Sequence, residues 1–192
     1  GCALGVWSGG QVAYSHGYGM ANLEYGVPIT KDTVFEAGSV SKQFTAAAIL
    51  LLAREGKLSL DDDIRKYLPE VPDFGKKITI RHLLTHTSGL RDQWELLTIA
   101  GRPPGSAVHT LDEILYLVSR QKELNFSPGE EYLYSNTGYS LLAWIVKRAS
   151  GKPLAEFSQT QILQPLGMVH SHWRDDFTRI VKGRATAYRM DA

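Results

Sequence analysis

The sequence has little cysteine, little excess charge and no long apolar run. Cys2 is the single cysteine among 192 residues, so the chain forms no internal disulfide. A formal net charge of +1 gives no electrostatic reason to expect a nucleic acid or a membrane surface as partner. No apolar run reaches the roughly 20 residues of a transmembrane helix. With 43% hydrophobic residues, the composition indicates an ordinary globular domain with its own core.

The pattern along the chain predicts one hairpin followed mainly by helices. β-branched and aromatic residues flank the turn Ser8-Gly9-Gly10 and predict a hairpin over 2–19. An irregular lead-in over 20–37 precedes a long Ala-rich helix over 39–55, for which Gly56 is the expected C-terminal cap. Further helices are predicted at 61–68, 80–86, 113–121, 138–150 and 153–163. Thr79 is expected to cap the helix at 80–86, which Gly89 ends, and Thr110 with Glu113 has the spacing of a capping box before the helix at 113–121.

Lys42 stands in the first turn of the predicted 39–55 helix, an unusual place for a cation. The N–H groups of that turn carry partial positive charge, and burial also disfavours an ammonium. Both effects are expected to lower the pKa of Lys42 toward a neutral amine. Ser39 lies three residues earlier on the same helix face, and a hydroxyl beside such an amine is one form of activated nucleophile. The alternative is that Ser39 only caps the helix while Lys42 extends to solvent.

The Ser-x-x-Lys spacing is a weak signal alone, and the chain contains it twice. The second pair, Ser119 and Lys122, falls near the end of a predicted helix, where a cation suits the helix dipole. We interpret that pair as part of a solvated helix face.

A second group of polar residues is Tyr134-Ser135-Asn136, the one Tyr-x-Asn in the chain. A tyrosine acts as a general base when a nearby cation lowers its pKa, and an asparagine two residues on both donates to and accepts from an amide. The alternative is a helix N-cap at Asn136 after a packed aromatic residue.

Together these elements resemble the serine β-lactamase and penicillin-binding protein superfamily. Its members carry Ser-x-x-Lys, and Tyr-x-Asn is typical of its class C β-lactamase-like branch, which includes D-alanyl-D-alanine carboxypeptidases and esterases. Nearly the whole chain is similar to stretches typical of that family, in the same order: VFEAGSVSKQFTA, GKLSLDDDI, ITIRHLLTHTSGL, YSNTGYSLLAWIV and ILQPLGM.

The resemblance implies a role for each matching residue. Ser39 would be the acylated nucleophile, with its backbone N–H as half of an oxyanion hole, and Lys42 would share or receive its proton. Tyr134 would act as base toward the hydroxyl and later toward water, and Asn136 would orient the amide of the substrate. The implied reaction is hydrolysis through an acyl-enzyme on a β-lactam, a D-amino-acid peptide or an ester. It needs no metal and no organic cofactor.

One element of the family is missing from the sequence. The third motif, Lys-Thr-Gly or His-x-Gly on a strand lining the site, does not occur. In the family this strand follows the region where the chain ends, so we expect the N-terminal portion of a longer enzyme. The expected fold is α/β (α+β), with a helical subdomain and an antiparallel sheet reduced mainly to its first hairpin. The expected domain is a single one over 1–192, with sheet hairpin and lead-in at 2–37, catalytic helix and helical subdomain at 38–166, and an irregular tail at 167–192.

Two other interpretations stay open at this point. One is a non-catalytic relative that binds a ligand or assembles, and the other is a plain helical interaction domain. Each is separated from the hydrolase by an acylating probe.

Weaker signals come from histidine and aromatic residues. His82 and His86 lie four apart as a possible metal pair, but the sequence offers no third ligand for them, and His170 and His172 lie in a loop-like stretch. We therefore predict no metal site. The aromatic residues predicted to line an acyl pocket are Trp94, Tyr132 and Tyr139. The sequence gives no oligomeric state, and the resemblance alone implies an extracytoplasmic bacterial location.

Overall fold

The structure is a computed structural model that describes residues 1–188. The chain divides into two compact units: residues 1–40 with the segment that begins at Thr178, and residues 41–177. The predicted single domain with its three segments stays a prediction, and residues 189–192 of the predicted tail lie outside the described residues.

The first unit contains the predicted hairpin. Strands β1 (Cys2–Ser8) and β2 (Gln11–Tyr18) pair antiparallel across Gly9 and Gly10. Both glycines have positive φ, at 58° and 77°, as a two-residue type I′ turn requires. A second short antiparallel pair, β3 (Met20–Asn22) and β4 (Val27–Pro28), lies where the sequence predicted only an irregular lead-in.

The sheet of β1 and β2 has two strands within the described residues, so each strand has one edge without a neighbouring strand of that sheet. Its apolar side chains stand largely in solvent instead of packing on a core. The exposed ones are Leu4, Val6, Trp7, Val12, Tyr14 and Tyr18.

The second unit is helical and holds the main core. Its helices are α1 (Lys42–Arg54), α2 (Ile80–Leu84), α3 (Gln93–Ile99), α4 (Leu111–Ser119), α5 (Asn136–Ser150) and α6 (Leu154–Ser158). Apolar residues of α1 and α5 recur every three or four positions and meet in the core, as amphipathic helices do. Fully buried members of this core include Ile49, Leu52, Leu141, Leu142, Ile145 and Val146.

The ends of these helices confirm some predictions and correct others. Gly56 follows α1 with φ of 71°, and the N–H groups of Gly56 and Lys57 close the helix as a Schellman motif. The predicted helix at 61–68 is only a 3₁₀ turn, Ile64–Lys66, because Asp63 caps it at once. Thr79 caps α2 as predicted, but α2 ends at Leu84, five residues before Gly89.

Three further differences concern the helices α3, α5 and α6. Helix α3 was not predicted, and α5 begins two residues earlier than expected, at Asn136. The last predicted helix, 153–163, is an α-helical turn, α6, followed by a π-helical turn, Gln159–Leu163. Helices combined with small antiparallel sheets give the predicted α+β class.

Candidate active site

Lys42 is the first residue of α1, in the first turn as the sequence predicts. Its side chain is half-buried, and its Nζ donates a hydrogen bond of 3.0 Å to Oδ1 of Asn136. The same Nζ lies 4.9 Å from the ring centroid of Tyr134 and 5.5 Å from that of Tyr139, both within cation–π range. The structure therefore brings three of the predicted site residues, Lys42, Tyr134 and Asn136, to one place.

Ser39 belongs to the single-turn 3₁₀ helix Gly38–Ser41, which leads directly into α1. Gly38 turns the chain there with φ of 53°, a conformation in which glycine has no Cβ penalty. The side chain of Ser39 is exposed. The long helix predicted over 39–55 is thus a 3₁₀ turn followed by α1.

Asn136 begins α5 and is fixed by Asp92. Oδ2 of Asp92 accepts the backbone N–H of Asn136 at 2.5 Å and its side-chain Nδ2 at 3.1 Å. The amide of Asn136 therefore directs its nitrogen to Asp92 and its oxygen to Lys42. This pattern settles which end of the amide is which, because a carboxylate only accepts and an ammonium only donates.

Asp92 is a site residue that the sequence analysis missed. It is buried, and as N-cap of α3 its Oδ1 accepts the N–H of Trp94 at 2.9 Å. One carboxylate thus joins the N-termini of α3 and α5, where the partial positive charge of both helices favours it. An Asp before Gln93-Trp94-Glu95 was an available N-cap signal for α3.

Thr137 connects the loop that carries Asp92 to α5 by hydrogen bonds. Its hydroxyl donates to the carbonyl of Arg91 and accepts the N–H of Gln93, both at 2.8 Å. Ser140, one turn further along α5, donates to Oε1 of Gln93 at 2.8 Å. The loop that carries Asp92 is therefore held on both sides of that residue.

His86 lies against Tyr134 and is the second residue whose role the sequence analysis missed. The two ring centroids are 4.5 Å apart, and Nδ1 of His86 accepts the N–H of Ser135 at 3.2 Å. Burial first, and then the positive charge of Lys42, lower the pKa of His86 below its ordinary value. The imidazole is therefore held in its neutral form.

Tyr139 completes the aromatic surroundings of Lys42. Its hydroxyl donates to the carbonyl of Leu84 at 3.1 Å, and burial, with a smaller effect of Tyr134, raises its pKa. Of the other predicted pocket residues, Trp94 packs edge-on against His109. Tyr132 is largely exposed, and its ring centroid lies 6.0 Å from that of His86.

The possible metal pair of His82 and His86 is not formed on one helix face, because α2 ends between them. Nδ1 of His82 accepts the N–H of Thr79 in a capping box, while His86 contacts Ser135. Within residues 1–188 no cluster of three metal-ligating side chains is found. The described chain also contains no helix long and apolar enough to span a bilayer.

Comparison with known proteins identifies the family to which the chain belongs. The chain is 38% identical over 183 residues to penicillin-binding protein 4* of Bacillus subtilis, covering 95% of the chain and 38% of that protein. It is 38% identical over 173 residues to the esterase EstB of Burkholderia gladioli, covering 83% of the chain and 43% of the esterase. The chain thus spans about two fifths of the length of these relatives.

A solved structure agrees with the sequence relatives. The octameric penicillin-binding protein homologue from Pyrococcus abyssi superposes with a TM-score of 0.86 at 34% identity, over 98% of this chain and 44% of that one. The family model described as Beta-lactamase matches residues 1–191. The chain therefore belongs to the Beta-lactamase family, as its sequence predicted.

Proposed function

We propose that this chain carries the reacting residues of a serine hydrolase that works through an acyl-enzyme on Ser39. The observation that supports this most is the placement of Lys42, whose Nζ meets Oδ1 of Asn136 at 3.0 Å and the ring of Tyr134 at 4.9 Å. A cation beside a phenol favours its deprotonated form, which suits Tyr134 to accept a proton.

The proposed reaction has two steps. Oγ of Ser39 attacks the acyl carbon, its proton passes to the Tyr134 phenolate or, in the form with a neutral amine, to Lys42, and the tetrahedral intermediate breaks its bond to the leaving nitrogen or oxygen, which takes up the proton. Water then attacks the acyl carbon and gives a proton to Tyr134. The bond between that carbon and Oγ of Ser39 breaks, Oγ takes up the proton from Tyr134, and the acid is released. The backbone N–H of Ser39 stabilises the oxyanion in both steps.

Asn136 is proposed to orient the substrate. An amide nitrogen carries two hydrogens, and Asp92 accepts one of those on Nδ2 of Asn136. The second hydrogen is proposed to meet a carbonyl of the substrate, while Lys42 keeps the amide from rotating.

The proposed substrates share an acyl carbon with a nitrogen or oxygen leaving group: a β-lactam, a D-amino-acid peptide or an ester. The names of the relatives, a penicillin-binding protein and an esterase, support this class. An extracytoplasmic bacterial location, implied by the same resemblance, also stays a prediction.

Covalent labelling tests the proposal. A fluorescent penicillin and a fluorophosphonate are each incubated with the chain, with the full product of its gene, and with the Ser39→Ala variant of both. We expect labelling that Ser39→Ala abolishes and that Ser119→Ala leaves unchanged. Ser119 is the matched control because it begins the second Ser-x-x-Lys, and its hydroxyl only donates to the carbonyl of Tyr116.

Two outcomes would contradict the proposal. Labelling that survives Ser39→Ala removes Ser39 from the mechanism. A full gene product that is folded and takes up neither probe favours the non-catalytic binding module.

A further inference from the structure

His86 has a backbone conformation that a side chain normally avoids. With φ of 58°, it is the one non-glycine residue with positive φ among residues 1–188. The left-handed conformation is unfavourable for an L-residue, because its Cβ then lies too close to the following carbonyl oxygen. Such a residue persists where its surroundings hold it there, and strain of this kind concentrates at functional sites.

The contacts of His86 show what this conformation achieves. Its carbonyl accepts the N–H of Leu133 at 3.0 Å, and its Nδ1 accepts the N–H of Ser135 at 3.2 Å. Its ring centroid lies 4.5 Å from that of Tyr134, which stands between Leu133 and Ser135 in the sequence. One residue thus contacts Tyr134 itself and the backbone on both sides of it.

The hydrogen bond to Ser135 fixes the state of the ring. Nδ1 accepts only when it carries no proton, so the ring proton must be on Nε2. The groups that face this ring are Lys42 from α1, Tyr139 from α5, and Tyr132 and Tyr134 from the segment before α5. Lys42 is the charged one, and burial and that charge both lower the pKa of His86.

We propose that His86 is a positioning residue for Tyr134: its neutral ring and left-handed backbone hold segment 133–135 so that the phenol lies beside Lys42. Protonation of Nδ1 removes the acceptor of Ser135 and adds a second cation close to Lys42. At low pH Tyr134 therefore leaves its position beside Lys42. The group that causes this change is His86, which does not contact the substrate. This inference rests on the proposed function only for its effect on the rate.

The first test needs no activity. Nitrogen-15 NMR of the uniformly labelled chain, titrated with acid, reads the tautomer and the midpoint of His86 together with the amide of Ser135. We expect the Nε2–H form, a midpoint below the ordinary histidine value, and a shift of the Ser135 amide at the same midpoint. An Nδ1–H tautomer, or a Ser135 amide that ignores the titration of His86, would overturn the proposal.

Three variants then separate positioning from stability, with acylation by a fluorescent penicillin as the readout. His86→Asn keeps an acceptor atom where Nδ1 lies and tolerates the left-handed backbone, but does not titrate. His86→Ala removes the acceptor, and His86→Gly removes it while relieving the backbone strain. His172→Ala, in a loop of the same unit, is the control.

We expect the acylation rate constant to fall about 10²-fold in His86→Ala and His86→Gly, since a displacement of about 1 Å costs that much. His86→Asn should retain most of the rate and keep it to lower pH than the wild type. A folded His86→Gly that acylates as fast as the wild type would refute the positioning role. If the folded full gene product takes up no label, the proposed function fails, and the NMR result still decides the role of His86.

Discussion

Asp92 accepts three hydrogen bonds with one buried carboxylate, from the N–H of Trp94 and from two nitrogens of Asn136. Asp92→Asn places an NH₂ group where one of these donors now points, so at least one buried donor loses its acceptor. We expect the free energy of unfolding to fall by about 1–3 kcal/mol. Urea denaturation followed by circular dichroism measures this change.

Asp112→Asn is the matched control for Asp92→Asn, because Asp112 lies exposed in the first turn of α4. Loss of its charge near a helix N-terminus should cost only about 0.3–1 kcal/mol. Equal losses in the two variants would mean that Asp92 contributes no more than a surface charge does.

Two half-buried histidines make stability depend on pH. Burial lowers the pKa of both His82 and His86 below the ordinary 6.5, so the unfolded chain takes up protons first as pH falls. Their contribution to stability is complete above pH 6.5 and is lost as the pH falls through their lowered pKa values in the folded chain. We expect the free energy of unfolding to decrease as pH falls below 6.5, and less steeply in His86→Asn.

Denaturant titrations across this range measure that slope. Asp62 cannot produce it, because its pKa is lowered to about 2 by hydrogen bonds from the Ser59 N–H, Tyr67 and Lys66. A slope that is the same in the wild type and in His86→Asn would assign the effect to other groups.

The sequence predicted Lys42, Tyr134 and Asn136 because each belongs to a short pattern of residue types. Asp92 and His86 were missed because their partners are distant in sequence: Asn136 is 44 positions from Asp92, and Ser135 is 49 from His86. His86 was considered only as a metal ligand, since its spacing from His82 assumed one continuous helix. Helix α2 in fact ends at Leu84, before His86.

At the scale of elements, two glycines with almost the same backbone make a clean comparison. Gly56 and Gly89 have φ of 71° and 72°, but a Cβ on Gly56 meets nothing within 4 Å, whereas one on Gly89 would lie 2.1 Å from the carbonyl oxygen of Phe126. Gly56→Ala should cost about 1–2 kcal/mol for the left-handed backbone alone. Gly89→Ala should cost several kcal/mol or prevent folding, because backbone must also move.

Thermal and urea unfolding of the two glycine variants measure the difference between them. Equal destabilisation would show that the close approach between Gly89 and Phe126 is relieved without cost.

Elements with strong local signals were predicted well, and those set by tertiary contacts were not. The hairpin over 2–19 and the Gly56 cap depend on residues adjacent in sequence, so pattern alone located them. Helix α2 is shorter than predicted because His86 turns the chain toward the segment before α5. Helix α3 was missed although Asp92 gives a local N-cap signal, and the contacts that hold Asp92 to α5 join residues distant in sequence.

At the scale of the whole chain, the family and fold class were predictable because several short stretches match in the right order. The division into two units was not, because it depends on the segment after Thr178 returning to residues 1–40. Within the first unit, Val34 and Arg184 form a parallel bridge, and the N–H of Ala185 donates to the carbonyl of Val34 at 2.9 Å. No local pattern near Arg184 indicates that pairing.

The two units should differ sharply in local stability. Among the described residues of the first unit, the buried apolar side chains are Ala21 and Ile29, while the second holds the core around α1 and α5. A two-stranded hairpin is marginal by itself, and segments with few buried contacts open at low free energy. In amide hydrogen exchange read by mass spectrometry on the 192-residue chain, we expect peptides from β1 and β2 to exchange well before those from α5. Protection of the hairpin equal to that of α5 would show that its exposed face is stabilised by something other than its own side chains.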